Sequence, residues 1–347
     1  MARTAPWHAP TTMKTKICII GCGRFARYAH GPVYRLIRQR DPDVEYAACA
    51  DVSPEKAASF SRDFEIPRHY TDWREMAEKE RPDGICQLTG VSDTAETACQ
   101  VLAEGIPLLM EKPPGRNRSE IQRIIAASRR SNTPAMVAFN RRYSPIIVQM
   151  LDILDRECKE PVEHVRCDFY RCERLDADFS TTSIHGIDAV RHIARGRYTE
   201  ARFDFQELKR ETPAANIFMN ARFDNGAYGL LSFIPSSGAT FERYTIATRH
   251  WTLIAHTIPP SGGSEPAGMI EVFHDNHHLR DEAPLPSELN DEELYLAGYY
   301  GENAAYLRRL RNGCPETDDL AMSMDAVELA DCIRNRRPAW SLVREGN

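Results

Sequence analysis

An apolar run, Ile17-Cys18-Ile19-Ile20, passes directly into Gly21-Cys22-Gly23-Arg24-Phe25-Ala26 and then into a segment of helical character. This pattern restricts the fold tightly. Gly21 permits the sharp turn out of a buried strand, Gly23 lets backbone approach a ligand, and small Ala26 allows close packing of helix on strand. The N-terminus of the helix supplies free N–H groups and partial positive charge, which suits the pyrophosphate of a dinucleotide. Arg24 and Phe25, inside the loop, are candidate contacts to the same ligand. The next apolar run, Val44–Asp51, ends in a carboxylate placed somewhat beyond the usual spacing of about 20 residues. The turn Asp41-Pro42-Asp43 absorbs the excess. Asp51 is suited to the ribose hydroxyls of NAD and would repel the 2′-phosphate of NADP, although Arg24 leaves NADP open. Its alternative duty, or that of Ser53 ahead of Pro54, is to cap the following helix.

The remainder of the first 140 residues repeats that strand–helix alternation. Strand-like runs occur at Lys16–Ile20, Val44–Asp51, Gly84–Thr89, Pro107–Met110 and Ala135–Phe139. Helical stretches lie between them at Phe25–Arg38, Pro54–Phe64, Asp72–Lys79, Asp93–Glu104 and Arg118–Arg130. Such a rhythm predicts an α/β fold with a doubly wound parallel sheet. A helix over Pro145–Glu157 then carries the chain onward. Beyond it, alternating strands are expected at Val162–Arg171, Ala201–Lys209, Ala214–Phe223, Gly226–Ile234, Glu242–Thr248 and Trp251–Ala255, with a helix at Ile184–Ala194. Asp224-Asn225-Gly226 marks a hairpin turn. The second part is therefore expected to be an α+β domain with a large, mostly antiparallel open sheet. Helices over Glu292–Asn312 and Leu320–Arg334 close it, and Pro259–Gly268 reads as a surface loop. A length of 347 residues agrees with two domains, drawn at 14–142 and 143–347 behind a disordered leader at 1–13.

Lys112 falls at the end of the fifth strand, in Glu111-Lys112-Pro113-Pro114. Proline cannot donate to a β-ladder, so the strand stops there, at the sheet edge where open α/β folds bind ligands. A partly desolvated ammonium in such a place serves as acid, base or electrostatic clamp. By position, Thr89 after the fourth strand and Glu111 with Lys112 after the fifth join Gly21, Gly23, Arg24, Phe25, Ala26 and Asp51 as candidate cofactor contacts. His185 lies at the head of the helix expected over Ile184–Ala194; by itself it reads as a core or capping histidine before an active-site one. Asp188, one turn later, is placed to orient that imidazole, to pair with Arg191 or to stabilise the helix, and His192 reads as packing. Thr182 or Ser183 is a candidate helix cap.

With these motifs in order, the chain resembles the glucose–fructose oxidoreductase / inositol dehydrogenase family, Gfo/Idh/MocA, over roughly residues 14–337. Besides the glycine loop and Glu111-Lys112-Pro113, the resemblance rests on Asn140-Arg141-Arg142-Tyr143-Ser144-Pro145, His185-Gly186-Ile187-Asp188 and Phe223-Asp224-Asn225-Gly226-Ala227-Tyr228-Gly229. It implies a Rossmann domain plus an α/β domain whose open sheet forms homo-oligomer contacts. It also implies hydride transfer between nicotinamide and a secondary alcohol of a sugar, polyol or related hydroxylated metabolite, with Lys112 and His185 as the catalytic pair. Arg142, Tyr143, Asp188 and Thr181 are then candidate substrate contacts. Two positions depart from the family pattern. Thr181 stands where an acid usually precedes the histidine, and Thr89-Gly90, with Thr94, replaces a Thr-Pro and following histidine. Threonine cannot take up a proton at neutral pH, so a nucleotide-sensing regulator, or a glycosidase or lyase that oxidises its substrate transiently with tightly bound NAD, are the alternatives.

Composition narrows the partners. A net charge of −6, with isoelectric point near 6.0, gives no reason to expect nucleic acid or an acidic membrane as partner. No apolar stretch approaches the roughly 18–20 residues of a membrane helix, and residues 1–12 lack a secretory apolar core. The ten cysteines are scattered without a Cys-x-x-Cys pair, which fits a reduced, cytoplasmic protein. The run His274-Asp275-Asn276-His277-His278 has the spacing of zinc ligands on a helix but no matching Cys or His pair nearby, so no metal is expected.

Overall fold

Six short strands, all parallel, form the sheet demanded by the strand–helix alternation. In the computed structural model, which describes residues 14–175, 178–209, 214–258, 268–283, 292–313 and 318–342, they are β1 (Thr15–Ile20), β2 (Val44–Ala50), β3 (Arg68–Tyr70), β4 (Gly84–Gln87), β5 (Leu108–Met110) and β6 (Ala135–Val137). The intervening helices are α1 (Gly31–Arg40), α2 (Pro54–Asp63), α3 (Trp73–Glu80), α4 (Val91–Ala103) and α5 (Arg118–Ser131). Strand order is β3-β2-β1-β4-β5-β6, so the winding reverses between β1 and β4 and leaves a crevice at their carboxyl ends. Strands buried on both faces read as continuous apolar runs, and Ile17, Cys18, Ile19, Ile85, Leu108 and Leu109 are all fully buried. The sequence carried no sign of β3, because Arg68-His69-Tyr70 is a three-residue edge strand without an aliphatic residue.

The first helix departs from the expected continuous α-helix over Phe25–Arg38. Residues Ala26–His30 form a π-helical turn, with Gly31 N–H donating back five residues to the Ala26 carbonyl, before α1 begins. Pro32 provides the reason: it has no N–H for the Tyr28 carbonyl and its ring crowds that carbonyl, so the wider turn relieves the conflict.

The second unit begins with a 3-10 turn (Asn140–Tyr143) and α6 (Pro145–Arg156). Its strands are β7 (His164–Tyr170), β8 (Tyr198–Leu208), β9 (Ala214–Phe223), β10 (Tyr228–Ile234), β11 (Phe241–Ala247), β12 (Trp251–Ile258), β13 (Met269–His274) and β14 (His277–Glu282), with α7 (Ser180–Ala194) between β7 and β8. After α8 (Glu292–Leu296), α9 (Tyr299–Asn312) and α10 (Asp318–Arg334), a short β15 (Ala339–Ser341) pairs with β8 and completes nine strands. The order is β14-β13-β12-β11-β7-β10-β9-β8-β15, antiparallel except where β7 and β10 run side by side. Helix α7 lies on that central pair. A Cβ on its Gly186 would fall 2.8 Å from the Phe233 ring and 3.3 Å from Phe169, so only glycine admits the helix this close.

Two expectations change, and the histidine cluster takes its own form. The segment His274–His278, whose spacing would suit zinc only on a helix, is a hairpin: Asp275 and Asn276 take φ of 48° and 65°, and His274 pairs with His277 across the turn. The helical spacing of its histidines is therefore lost, and the described residues contain no group of three His, Cys, Asp or Glu placed to hold a metal. The single helix over Glu292–Asn312 is broken at Gly298, whose φ is 90° and whose Cβ would lie 2.1 Å from the Asn140 carbonyl oxygen. Residues Tyr299–Met324, grouped by sequence order with the second domain, cluster instead with 14–138, while Phe139–Gly298 and 325–342 form the other unit. The leader at 1–13 and most of the loop at Pro259–Gly268 lie outside the described residues. Among the described residues no helix is long and apolar enough to cross a membrane.

The first unit holds α9 through one side chain above all. Tyr306 donates its hydroxyl to the carbonyls of Pro107 (2.8 Å) and Ile85 (3.2 Å), and the bare Gly84 backbone makes room for it. Arg311 adds an ion pair with Asp41 at 2.6 Å. A Cβ at position 84 would lie 2.3 Å from the Tyr306 hydroxyl. Gly84→Ala should therefore cost about 1–3 kcal/mol in urea unfolding. Adding Tyr306→Phe should recover part of that loss, giving non-additive behaviour in the double-mutant cycle.

Candidate active site

The glycine loop closes the β1 end of the first unit. Gly21, at φ 97°, passes so near β4 that a Cβ there would lie 2.6 Å from the Leu88 carbonyl oxygen. Around the Gly23 Cβ position, by contrast, no atom beyond its own chain neighbours lies within 4 Å. Gly21 is thus glycine for conformation and closeness, and Gly23 leaves a hollow at the head of the helical turn that a larger residue would fill. The first N–H groups of a helix have no partner inside it, so the hollow is lined with donors suited to a pyrophosphate. Arg24 and Phe25 are exposed beside it and Ala26 is buried against the sheet. The residues present therefore fit a dinucleotide.

Asp51, at the end of β2, reaches the same loop. Its Oδ2 accepts the N–H of Cys22 at 2.8 Å and its Oδ1 accepts that of Ser53 at 2.9 Å. Ser53 caps α2, with Oγ accepting from Lys56 N–H at 3.3 Å. Asp51 is consequently a brace for the glycine loop. The Cys22 thiol, raised by its hydrogen bond with the Cys49 thiol and by burial, stays neutral beside the anion site. At the end of β4, Thr89 Oγ1 accepts from Gln87 Nε2 at 2.9 Å, and Thr94 Oγ1 donates to the Gly90 carbonyl at 3.1 Å.

Lys112 stands two residues beyond β5, half-buried, and its peptide bond to Pro113 is cis. The preceding Glu111 is buried; Oε1 lies 2.8 Å from His30 Nε2, and Oε2 accepts the Lys112 N–H at 3.1 Å. Glu111, a candidate cofactor contact by position, is thus turned toward its own protein.

In the second unit, α7 presents Thr181 and His185 in its first two turns. Neither Thr182 nor Ser183 caps the helix: the N-cap position is Phe179, and Asp178 just before it accepts the Ser180 N–H on Oδ1 at 3.1 Å, while its Oδ2 takes Arg334 Nε at 2.7 Å. Ser183 instead turns back to the Ser180 carbonyl at 3.3 Å. Thr181 Oγ1 donates to the Asp178 carbonyl at 3.1 Å and is half-buried. His185 is buried, with 7% of its surface exposed. Asp188, placed by sequence to orient His185 or to pair with Arg191, belongs chiefly to Arg142. Arg142 Nε meets Asp188 Oδ2 at 2.7 Å and its Nη2 donates to the other oxygen, whereas Arg191 stays at 3.9 Å. This bidentate pair ties the Asn140–Tyr143 turn to α7, and both partners are buried. Arg142 and Asp188 hold the scaffold, while Tyr143 beside them is half-buried.

Several residues that shape these surroundings gave no signal in the sequence. His30 is one. Another is Glu242, wholly buried, which receives both Nε and Nη2 of Arg141 (3.1 and 2.6 Å) and Nη2 of Arg171. Burial works to raise the Glu242 pKa, but the two guanidinium groups outweigh it and hold the carboxylate below its usual range. The partners lie 71 and 101 residues away in sequence, so no local pattern could have joined them.

Residues 15–139 match the family model described as "Oxidoreductase family, NAD-binding Rossmann fold". Among curated proteins, the chain is similar to trans-1,2-dihydrobenzene-1,2-diol dehydrogenase of Xenopus tropicalis, 28% identical over 127 residues. That match covers 37% of this chain and 38% of the relative, so it spans well under half the relative's length. Among solved structures, a Gfo/Idh/MocA family oxidoreductase from Vibrio cholerae superposes with a TM-score of 0.75 at 19% identity, covering 93% of this chain and 98% of the other. Levoglucosan dehydrogenase in complex with NADH does so with a TM-score of 0.79 at 16% identity, covering 94% and 99%. Fold and loop together define the first unit as an NAD-binding Rossmann fold. The match to the oxidoreductase family model is confined to the nucleotide-binding unit, while the two-part fold of these solved structures extends along nearly the whole chain.

His192 gives α7 a pH signature. Burial, and then the charge of Arg142, push its imidazole down from 6.5 to about 4. Above pH 6.5 it is neutral folded and unfolded; between pH 6.5 and 4 the unfolded chain takes up a proton that the folded chain refuses, so stability falls as pH falls. His192→Gln should flatten that decline by about 2 kcal/mol, read from urea unfolding at pH 7 and pH 4.5.

Proposed function

We propose that the protein is an NAD-preferring dehydrogenase of a secondary alcohol in a sugar, a polyol or a related hydroxylated metabolite. The observation that carries the proposal is Lys112 at the carboxyl end of β5, in the same parallel sheet whose β1 end builds the dinucleotide hollow. NAD, when bound, supplies the hydride acceptor. The chain must then remove the hydroxyl proton as the carbon is oxidised, and a base within hydrogen-bond reach is required. His185 takes this proton on an imidazole nitrogen, histidine having the suitable intrinsic pKa. Lys112 Nζ donates a hydrogen bond to the reacting oxygen and stabilises its developing negative charge. Thr181 and Tyr143 contact further substrate hydroxyls. The glycine loop, Arg24, Phe25 and Thr89 contact the dinucleotide, and Asp51 accepts from its ribose.

The nine cysteines of the described residues are all free and seven of them are buried, which supports residence in a reducing compartment such as the cytoplasm. The open face of the nine-stranded sheet is proposed as the contact of a homo-oligomer. One observation favours a second class, a nucleotide-sensing regulator without turnover: Thr181 in place of an acid, its hydroxyl already engaged by the Asp178 carbonyl.

Purified protein incubated with NAD and a panel of sugars, polyols and hydroxy acids should reduce NAD with at least one of them, followed by NADH absorbance. Lys112→Ala and His185→Ala should each lower that turnover by about 10²-fold or more while NAD binding stays near the parent value. Undiminished turnover in both variants would falsify the assignment, and a complete absence of turnover across the panel would favour the regulator. Asp51→Ala should weaken NAD binding measured by fluorescence titration. Tighter binding of NADP than of NAD by the parent protein would contradict the ribose role.

A further inference from the structure

None of the cofactor or substrate roles above uses His30, yet it is among the most enclosed polar side chains of the first unit. Its imidazole is fully buried and surrounded by the rings of Phe25, Tyr34 and Tyr299, with centroids 5.8, 5.8 and 6.0 Å away. Nδ1 lies 3.5 Å from Asn303 Nδ2, which also donates to the Tyr299 carbonyl at 2.9 Å. An amide donor on that side makes Nδ1 the acceptor and leaves Nε2–H to donate, and its acceptor is Glu111 Oε1 at 2.8 Å. Glu111 spends its second oxygen on the Lys112 N–H at 3.1 Å.

The consequence concerns Lys112. Strand β5 ends at Met110 and prolines occupy positions 113 and 114, so the ladder does not extend to the lysine. A buried carboxylate needs donors on both oxygens, and here one donor comes from the core and the other is the lysine's own peptide. We propose that His30 is a positioning residue for Lys112. It holds the Glu111 carboxylate back in the core, which fixes the backbone from which the Lys112 side chain departs and keeps the carboxylate off the ammonium. The inference rests on the role of Lys112 proposed above, but its test needs no substrate.

The test is the rate at which Lys112 is acetylated by dilute acetic anhydride at one fixed pH, read by mass spectrometry of the full-length folded protein. The exposed Lys56 and Lys159 serve as internal references. In His30→Leu the released carboxylate approaches the ammonium and stabilises its unreactive charged form. Lys112 labelling should then fall about threefold or more while Lys56 and Lys159 keep their rates. His30→Gln, whose amide can still donate to Glu111, should restore the parent rate, which a loss of packing alone would not explain. Should His30→Leu not fold, Glu111→Gln, which removes the charge and keeps an acceptor for the Lys112 N–H, should leave Lys112 labelling equal to or faster than the parent. Unchanged Lys112 labelling in folded His30→Leu, or slowed labelling in Glu111→Gln, overturns the proposal. Undiminished turnover in Lys112→Ala would instead refute the catalytic assignment and leave the positioning result standing.

Discussion

At the point where β1 ends, the backbone of Gly21 lies against the Leu88 carbonyl, too close for any side chain. The nucleotide-binding end of the first unit follows from this approach. The chain must turn at once, so Cys22 offers its N–H sideways to Asp51 at the tip of β2, and Gly23 opens the hollow at the head of the first helical turn. Three strand ends are thereby coordinated by one close contact and one hydrogen bond. The π turn at Ala26–His30 completes the arrangement: by absorbing Pro32, it allows a helix to start at the loop and still place His30 inward over Glu111.

The second unit depends on buried charge. Arg142 with Asp188, and Arg141 and Arg171 with Glu242, are pairs almost wholly removed from water. Such pairs contribute little net stability compared with apolar packing, but leaving one partner alone costs about 3–5 kcal/mol. They therefore specify geometry more than they stabilise it. Each connects the Asn140–Tyr143 turn to a different element, α7 in one case and the β7–β11 strand pair in the other. The helix bearing His185 is fixed from the opposite side by Gly186, which lets it rest on Phe169 and Phe233.

Much of this was legible from the residues alone. Continuous apolar runs located β1, β2, β4, β5 and β6 because strands buried on both faces need no polar alternation. The glycine loop was readable because each glycine meets a distinct steric demand. Four strands were not: the edge strands β3, β14 and β15 are short or polar and take their identity from the neighbour they join, and the interior strand β13 also went unplaced. The conformation of His274–His278 was equally unreadable, since it is set by Asp275 and Asn276 adopting left-handed backbone and folding the segment back on itself.

The sequence by itself determined the parallel α/β sheet, the place of the dinucleotide hollow, and the emergence of Lys112 at a strand's carboxyl end. Those properties depend on local sterics and on periodicity within some 15 residues. Only the tertiary structure decided that Asp188 serves Arg142, that Glu111 faces His30 and not outward, and that Tyr299–Met324 joins the first unit. A charged side chain can choose among many partners of opposite sign, and the choice is made by burial, which only the folded chain defines.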